Sequence, residues 1–412
     1  MISRRRLLHY LPSVPFLGGL LGGSAAMGGG GSATASHLGR GSGIPEYRDY
    51  FAELGLRTFI NAAGTLTALS GSLMPDEVVE AYDYARRTYV RLDDIQDKVG
   101  ERIASMLGVE YATVTTGAFG AITLGTAGVL TGMDEKKVAQ LPDTTGMKNV
   151  VIKMGTSDIG YIHAVLNTGA KVIEVSTLQE LENAIDERTA MLFYFNAYNN
   201  TDVTPEQFVA VGKKYGIPTF NDIAADVPPV ENLWKYSKMG FDLVAVSGGK
   251  GLRGPQSAGL LLGRRDLIQA ARLHTPPRGA TIGRGMKVNK EEVLAMMVAV
   301  ERYLATDHEK EWKEWESQIQ FISDTVKTVP GTETEYYVPE IANHVPTLRI
   351  TWDQNRIPVT PNDAKQRLRD GHPSIETGGG RDDISVSVWM MRPGEVEIVA
   401  YRIRDVLRAA AA

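Results

Sequence analysis

Between Asn61 and about Leu273 the chain alternates short apolar runs with amphipathic stretches of helical period. The runs Tyr111–Thr115, Val150–Ile152, Lys171–Val175, Ala190–Phe195, Ile217–Asp222, Leu243–Ser247 and Ser257–Leu262 have strand length and β-rich composition. Helical stretches such as Gly117–Leu130 and Pro205–Tyr215 lie between them. Apolar strands separated by helices predict an α/β fold with a mostly parallel sheet buried on both faces. From 290 to 328 the pattern predicts one long amphipathic helix rich in Glu, Lys and Trp, stopping near Pro330-Gly331. Three more strand-like runs follow, Glu333–Tyr337, Thr347–Trp352 and Ile384–Trp389, with helical stretches at Pro361–Arg369 and Gly394–Arg408. That mixture predicts a smaller C-terminal α+β domain. The expected organisation is a linker over 36–60, a large domain over 61–289, and the long helix with the small domain over 290–412. No internal repeat of solenoid spacing is present.

The first 35 residues have a different pattern. Ser3-Arg4-Arg5-Arg6-Leu7-Leu8 is followed by a mildly apolar run from Tyr10 to Met27, broken by Pro12 and Pro15, and then by Ala33-Thr-Ala35. A basic start, an apolar middle and an Ala-x-Ala end describe a signal peptide, and the paired arginines resemble a twin-arginine signal. The expectation is export to the periplasm through the twin-arginine machinery, with Ser36 as the mature N-terminus. The apolar run is too short and too rich in Gly and Pro to make a stable membrane anchor.

Composition narrows the chemistry. The 412 residues are 43% hydrophobic and 23% charged, ordinary values for a large globular chain. There is no cysteine, which excludes disulfides, thiolate metal sites and thiol nucleophiles. Net charge is −5; the leader holds three arginines and no acid, so the remainder carries −8. An acidic body opposes nucleic acid as the main partner, because phosphate neutralisation needs a basic face.

Three local patterns carry candidate chemistry. In Ser247-Gly-Gly-Lys250-Gly-Leu-Arg253-Gly254 a lysine sits in a Gly-rich turn behind a strand, where ligands of open α/β sheets bind. A lysine held and partly desolvated there can form an imine, and Ser247 is close enough in sequence to reach a phosphate. By itself the pattern equally describes a solvated turn lysine. Asp222 ends the run Gly216–Asp222, where a carboxylate can hold a pyridine nitrogen protonated or simply cap a helix. Thr115-Thr116-Gly117-Ala118 lies between a strand and a helix, as in a phosphate cradle and as in any capped strand–turn–helix.

Taken together, the order cradle, carboxylate, Ser-x-x-Lys resembles the fold-type I pyridoxal-phosphate enzymes. Within them the chain resembles the branch that groups bacterial selenocysteine synthases (L-seryl-tRNA(Sec) selenium transferases) with D-glucosaminate-6-phosphate ammonia-lyases. The resemblance runs from about Tyr47 to the C-terminus. It rests on Phe59-Ile-Asn61-Ala-Ala-Gly64-Thr65, Thr115-Thr-Gly-Ala118, Asn221-Asp222-Ile-Ala-Ala-Asp226-Val-Pro-Pro229, Ser247-Gly-Gly-Lys250-Gly-Leu-Arg-Gly254-Pro-Gln256 and Gly283-Arg284-Gly-Met-Lys287-Val-Asn-Lys290-Glu-Glu292. Pro228-Pro229 and the Gly-Arg-x-Met-Lys-Val run place it nearer the ammonia-lyases.

The resemblance implies pyridoxal 5'-phosphate held by Thr116, Gly117, Ala118, Asp222, Ser247 and Lys250, with Lys250 and Asp222 catalytic. It implies loss of water and ammonia from a small hydroxylated amino acid of the amino-sugar-acid type, giving a 2-keto acid. Transfer onto seryl-tRNA, racemase or aldolase chemistry, and cofactor binding without turnover are the alternatives. Arg253, Arg284 and Lys287 are candidate substrate contacts, with Arg381 and Arg392 behind them. Trp312 and Trp315 are expected in packing. The sequence departs from the family pattern near Gly155-Thr156-Ser157, where no His or Arg stands to stack on a ring, leaving His163 as a candidate for stacking or for plain helix packing. A tRNA-binding N-terminal extension is not recognisable. A homodimer or larger even-numbered assembly is expected, with the loop carrying Arg284 and Lys287 near the interface.

Overall fold

A computed structural model describes residues 48–157 and 160–411; the expected leader and the first part of the linker, residues 36–47, lie outside them. Leu56–Ala412 form one compact unit. Of the segment before it, the described part is a short helix, Tyr50–Glu53, whose first turn donates to the Asp49 carboxylate. No helix among the described residues is long and apolar enough to cross a membrane.

The first strand is β1 (Phe59–Ala62). A seven-stranded sheet follows from β2 (Tyr111–Thr115), β3 (Val150–Met154), β4 (Lys171–Val175), β5 (Thr189–Phe195), β6 (Thr219–Asp222), β7 (Leu243–Ser247) and β8 (Gly259–Gly263). Its order is β2-β8-β7-β6-β5-β3-β4, parallel except for β8, which runs antiparallel to both neighbours. Helices bury both faces, which is why every residue of β3, β5 and β8 is buried and nearly all are apolar. β4 has one neighbour and carries Lys171 and Glu174, as an edge strand does. The helix Gly117–Thr131 is apolar nearly all round because most of it is buried, with Phe119 the one exposed side chain near its start. The fold is thus fold-type I, with a small C-terminal lobe.

That lobe holds β9 (Thr332–Tyr337), β10 (Thr347–Trp352), β11 (Ser374–Thr377) and β12 (Ile384–Ser387). The order β12-β10-β9 is antiparallel, and β11 pairs in parallel with β1. The N-terminal strand therefore belongs to the C-terminal core: Ile60 and Ala62 are buried with Ile375, Val386 and Ile403. The stretch read as one long helix is two, Lys290–Ala305 and His308–Val326. Asp307 breaks it, its carboxylate accepting from the Lys310 N–H. The first helix buries Val293, Met296 and Val300 against the large sheet, and the second buries Ile319, Ile322 and Val326 in the C-terminal core. The change of core falls at Thr306-Asp307, not at residue 290.

Candidate active site

The C-terminal ends of β5, β6 and β7 open on a cavity of about 340 Å3 that contains both Lys250 and Asp222. Lys250 lies in the turn after β7. Glycines let that turn press backbone against backbone: a Cβ on Gly249 would stand 2.2 Å from Gln256 Cα, and one on Gly251 2.0 Å from the Val227 carbonyl. The turn closes with Arg253 N–H donating to Lys250 O (3.0 Å) and Gly254 N–H to Gly248 O (2.8 Å). The Lys250 amine has no hydrogen-bond partner among the described residues. Burial lowers its pKa, against the opposing pull of the Asp222 and Asp226 charges.

Asp222 ends β6 and is 6% exposed. One carboxylate oxygen accepts from the Ala224 N–H at 2.9 Å; the other has no protein partner. Burial pushes its pKa up to about 7; the Ala224 N–H opposes that rise, Asp226 adds to it and Lys250 opposes it. Asp226 is buried behind the cavity wall, with its pKa raised to about 6 by burial, while a 3.0 Å hydrogen bond from Asn196 Nδ2 works the other way. Two buried carboxylates beside a desolvated lysine are a site built for a further cationic group.

The helix Gly117–Thr131 starts at the same cavity, with Gly117 at φ +66°. Thr116 caps it without a side-chain hydrogen bond, and among the described residues no acceptor meets the N–H groups of Gly117, Ala118 or Phe119. Free first-turn N–H groups attract a phosphate. Gly117, Ala118 and Ser247 line the cavity, while Thr116 sits just behind. The fit to pyridoxal phosphate is thus complete in kind: an amine for its aldehyde, an unpaired buried carboxylate oxygen for its ring nitrogen, and a helix start for its phosphate.

The other candidates lie elsewhere. The Arg253 side chain turns away from the cavity; its guanidinium, in a residue at φ +52°, donates to the Trp389 carbonyl and reaches a separate cleft near Glu311 and Trp315. Arg284 and Lys287 are exposed and do not line this chain's cavity. Arg381 is exposed and Arg392 pairs with Glu395 at 2.7 Å. His163 is exposed and outside the cavity. Trp312 and Trp315 lie beside one another, ring centroids 6.2 Å apart and planes tilted by 54°.

Sequence reasoning did not single out Phe119, Tyr161 and Tyr198, which form an aromatic wall. Tyr198 stands 6.5 Å from Tyr161 and 6.1 Å from Phe195, ring to ring. The loops behind them are stitched together by Ser157 Oγ donating to Tyr198 O (2.9 Å) and Thr156 N–H to Asn200 Oδ1 (3.1 Å). Lys153, 1% exposed, supports the same loop by donating to Ser157 O (2.9 Å), and it pairs with Glu174 across the sheet at 2.6 Å. Thr65 and Asn343 complete the wall from far-apart parts of the chain. Thr65 lay inside a quoted motif; Asn343 had no signal.

The family model for L-seryl-tRNA selenium transferase matches residues 59–330. D-glucosaminate-6-phosphate ammonia lyase of Salmonella typhimurium is 26% identical over 88% of this chain and 98% of its own length. A solved structure of an enzyme of that name superposes with a TM-score of 0.78, covering 89% of this chain and all of the other. A 5'-C-glycyluridine monooxygenase-decarboxylase of a Streptomyces species is 28% identical over 81% of this chain and 84% of its own. A serine palmitoyltransferase structure from S. paucimobilis that holds pyridoxal phosphate shares the fold at TM-score 0.55 and 15% identity.

Proposed function

The chain belongs to the L-seryl-tRNA selenium transferase family and is a pyridoxal-phosphate-dependent enzyme, and from that premise we propose that it eliminates water and ammonia from a small hydroxylated amino acid, giving a 2-keto acid. The observation that carries the reading is Lys250 and Asp222 facing one cavity in a chain that matches an ammonia lyase over nearly its whole length.

The cofactor supplies an electron sink next to the substrate's α-carbon. Lys250, displaced by the substrate amine, takes the α-proton on Nζ; its burial keeps the free amine accessible for that task. The same ammonium can then return the proton to the departing β-hydroxyl, which leaves as water. Asp222 would hold the ring nitrogen's proton, since one of its carboxylate oxygens has no partner among the described residues. The aromatic wall and the apolar side chains of Leu66 and Ile122 limit water around the reacting atoms. Hydrolysis of the dehydrated product releases ammonia. Incubating purified protein with D-glucosaminate or its 6-phosphate and measuring keto acid and ammonia tests this reading. Oxygen uptake in place of ammonia release would favour chemistry like that named for the Streptomyces relative.

Two expectations from the sequence join the proposal. Export rests on Arg4-Arg5 and Ala33-Thr-Ala35. Arg4→Lys with Arg5→Lys is expected to hold the protein in the cytoplasm with its leader uncut, and unchanged periplasmic yield contradicts export by that route. A homodimer or larger even-numbered assembly would bring a second copy over exposed Leu66, Leu73 and Met74, of which Leu66 lines the cavity mouth. A fully active monomer in dilute solution contradicts it.

A further inference from the structure

The loop between β9 and β10, residues 338–346, brings two residues of the C-terminal lobe to the Lys250 cavity, Ala342 and Asn343, and Asn343 is the one with a polar side chain. Ala342 and Asn343 are both in the left-handed region, at φ +58° and +49°. Two such non-glycine residues in succession are strained, and strain of this kind persists where the surroundings over-determine the backbone. Here the Asn343 N–H donates to the Ala225 carbonyl (2.8 Å), and its own carbonyl accepts from Val345 (2.8 Å). The Ala342 N–H faces the Asp226 carboxylate. The side chain is oriented as well: Thr65 Oγ1 donates to Asn343 Oδ1 at 2.7 Å. With Oδ1 occupied, Nδ2 is the free end of the amide, and no described protein group accepts from it.

Among the other polar groups of the cavity, the Tyr161 and Tyr198 hydroxyls make no hydrogen bond within the described residues, but no neighbour orients them as Thr65 orients the Asn343 amide. Lys250 and Asp222 belong to the cofactor, and Gln256 Nε2 donates to the Thr67 carbonyl at 3.1 Å. We propose that Asn343 is a specificity-determining residue of this site, its Nδ2 donating to an oxygen of the substrate, carboxylate or hydroxyl. This rests on the reading that an amino compound reacts at Lys250. A fixed donor of this kind selects against analogues that lack the oxygen, because they cover the half-buried amide without giving its N–H a partner.

The test uses the full-length, cofactor-loaded protein and two variants. Asn343→Gly suits a residue at φ +49°, so the loop keeps its shape while the amide is lost. Asn343→Asp also tolerates that backbone but replaces the donor with a negative acceptor. The probes are D-glucosaminate and glucosaminitol, which differ only in carboxylate against hydroxymethyl, with D-serine and serinol as a smaller pair that differs in the same way. Dissociation constants are read from the change in cofactor absorption, which needs no ammonia release; a wild-type protein that binds without releasing ammonia would sink the proposed reaction but still test Asn343. If Nδ2 holds the carboxylate, both variants bind the two amino acids about 10- to 100-fold more weakly and the two amino alcohols almost normally. If it holds a hydroxyl, each acid and its alcohol weaken together, by about 3- to 10-fold. Binding within twofold of wild type for all four probes overturns the proposal. So does loss of the cofactor from Asn343→Gly, which would make the residue part of the cofactor pocket, and so does a wild-type protein whose spectrum responds to neither pair.

Discussion

The Lys250 turn and the Asn343 loop face each other across one cavity and are held by opposite means. The turn is fixed by the absence of side chains: Gly249 and Gly251 let its backbone lie against Gln256 and Val227. The loop is fixed by hydrogen bonds that hold two strained residues in place. The first arrangement is rigid and local, as a covalent cofactor anchor requires. The second spans 278 residues between Thr65 and Asn343, and a change in either lobe can retune it. Chemistry common to a family is suited to the first kind of support, and substrate choice to the second.

The largest expected effect comes from the rigid side. Lys250→Ala removes the only cation lining the described cavity, and turnover should fall by about 10^3-fold or more. Asp222→Asn should keep the cofactor and lose about 10^2-fold or more in turnover, since an amide does not stabilise a protonated ring nitrogen; near-normal turnover would reduce Asp222 to its turn with Ala224.

The same residue predicts a pH dependence. Burial raises its carboxyl to about 7, against 3.8 for the free group. A raised acid destabilises the fold once ionised, so this contribution falls as pH rises from about 4 through 7. Cofactor loading gives the charge a partner. The gain in Tm on loading should therefore be larger at pH 8 than at pH 5.5, and Asp222→Asn should flatten the difference. Equal gains at both pH values in wild type would contradict the pairing.

Smaller effects separate the two supports. Gly251→Ala puts a methyl 2.0 Å from a carbonyl oxygen that belongs to the backbone, and should cost about 1–3 kcal/mol and weaken cofactor retention. Ala342→Gly relieves a left-handed alanine and should leave Tm unchanged or raise it by the equivalent of about 1 kcal/mol. Thermal melts of both reverse the comparison if the turn tolerates its methyl and the loop does not tolerate its glycine.

How much the sequence reveals follows from how local each feature is. Strands β2 and β7 fall where the apolar runs place them, because a buried strand needs no information beyond its own residues. Lys250 and Asp222 are legible for the same reason, each at the end of such a strand. The break at Asp307 was legible too: an Asp three residues ahead of Lys310 is an N-cap signal, overridden by the continuous amphipathic pattern around it. The pairing of β1 with β11 was not legible, since Phe59 meets Ser374 only once both lobes are folded. Nor was the buried Lys153, whose neutral-looking strand position depends on Glu174 in the next strand. Asn343 lies in a loop without periodicity, and only tertiary contacts bring it to the cavity.

Borohydride reduction of the loaded protein followed by peptide mapping tests the central claim most directly. It should fix the cofactor to Lys250, in the peptide that follows β7, with the label absent from Lys250→Ala. Reduced cofactor on any other lysine, or a label that survives in that variant, would contradict the site described here.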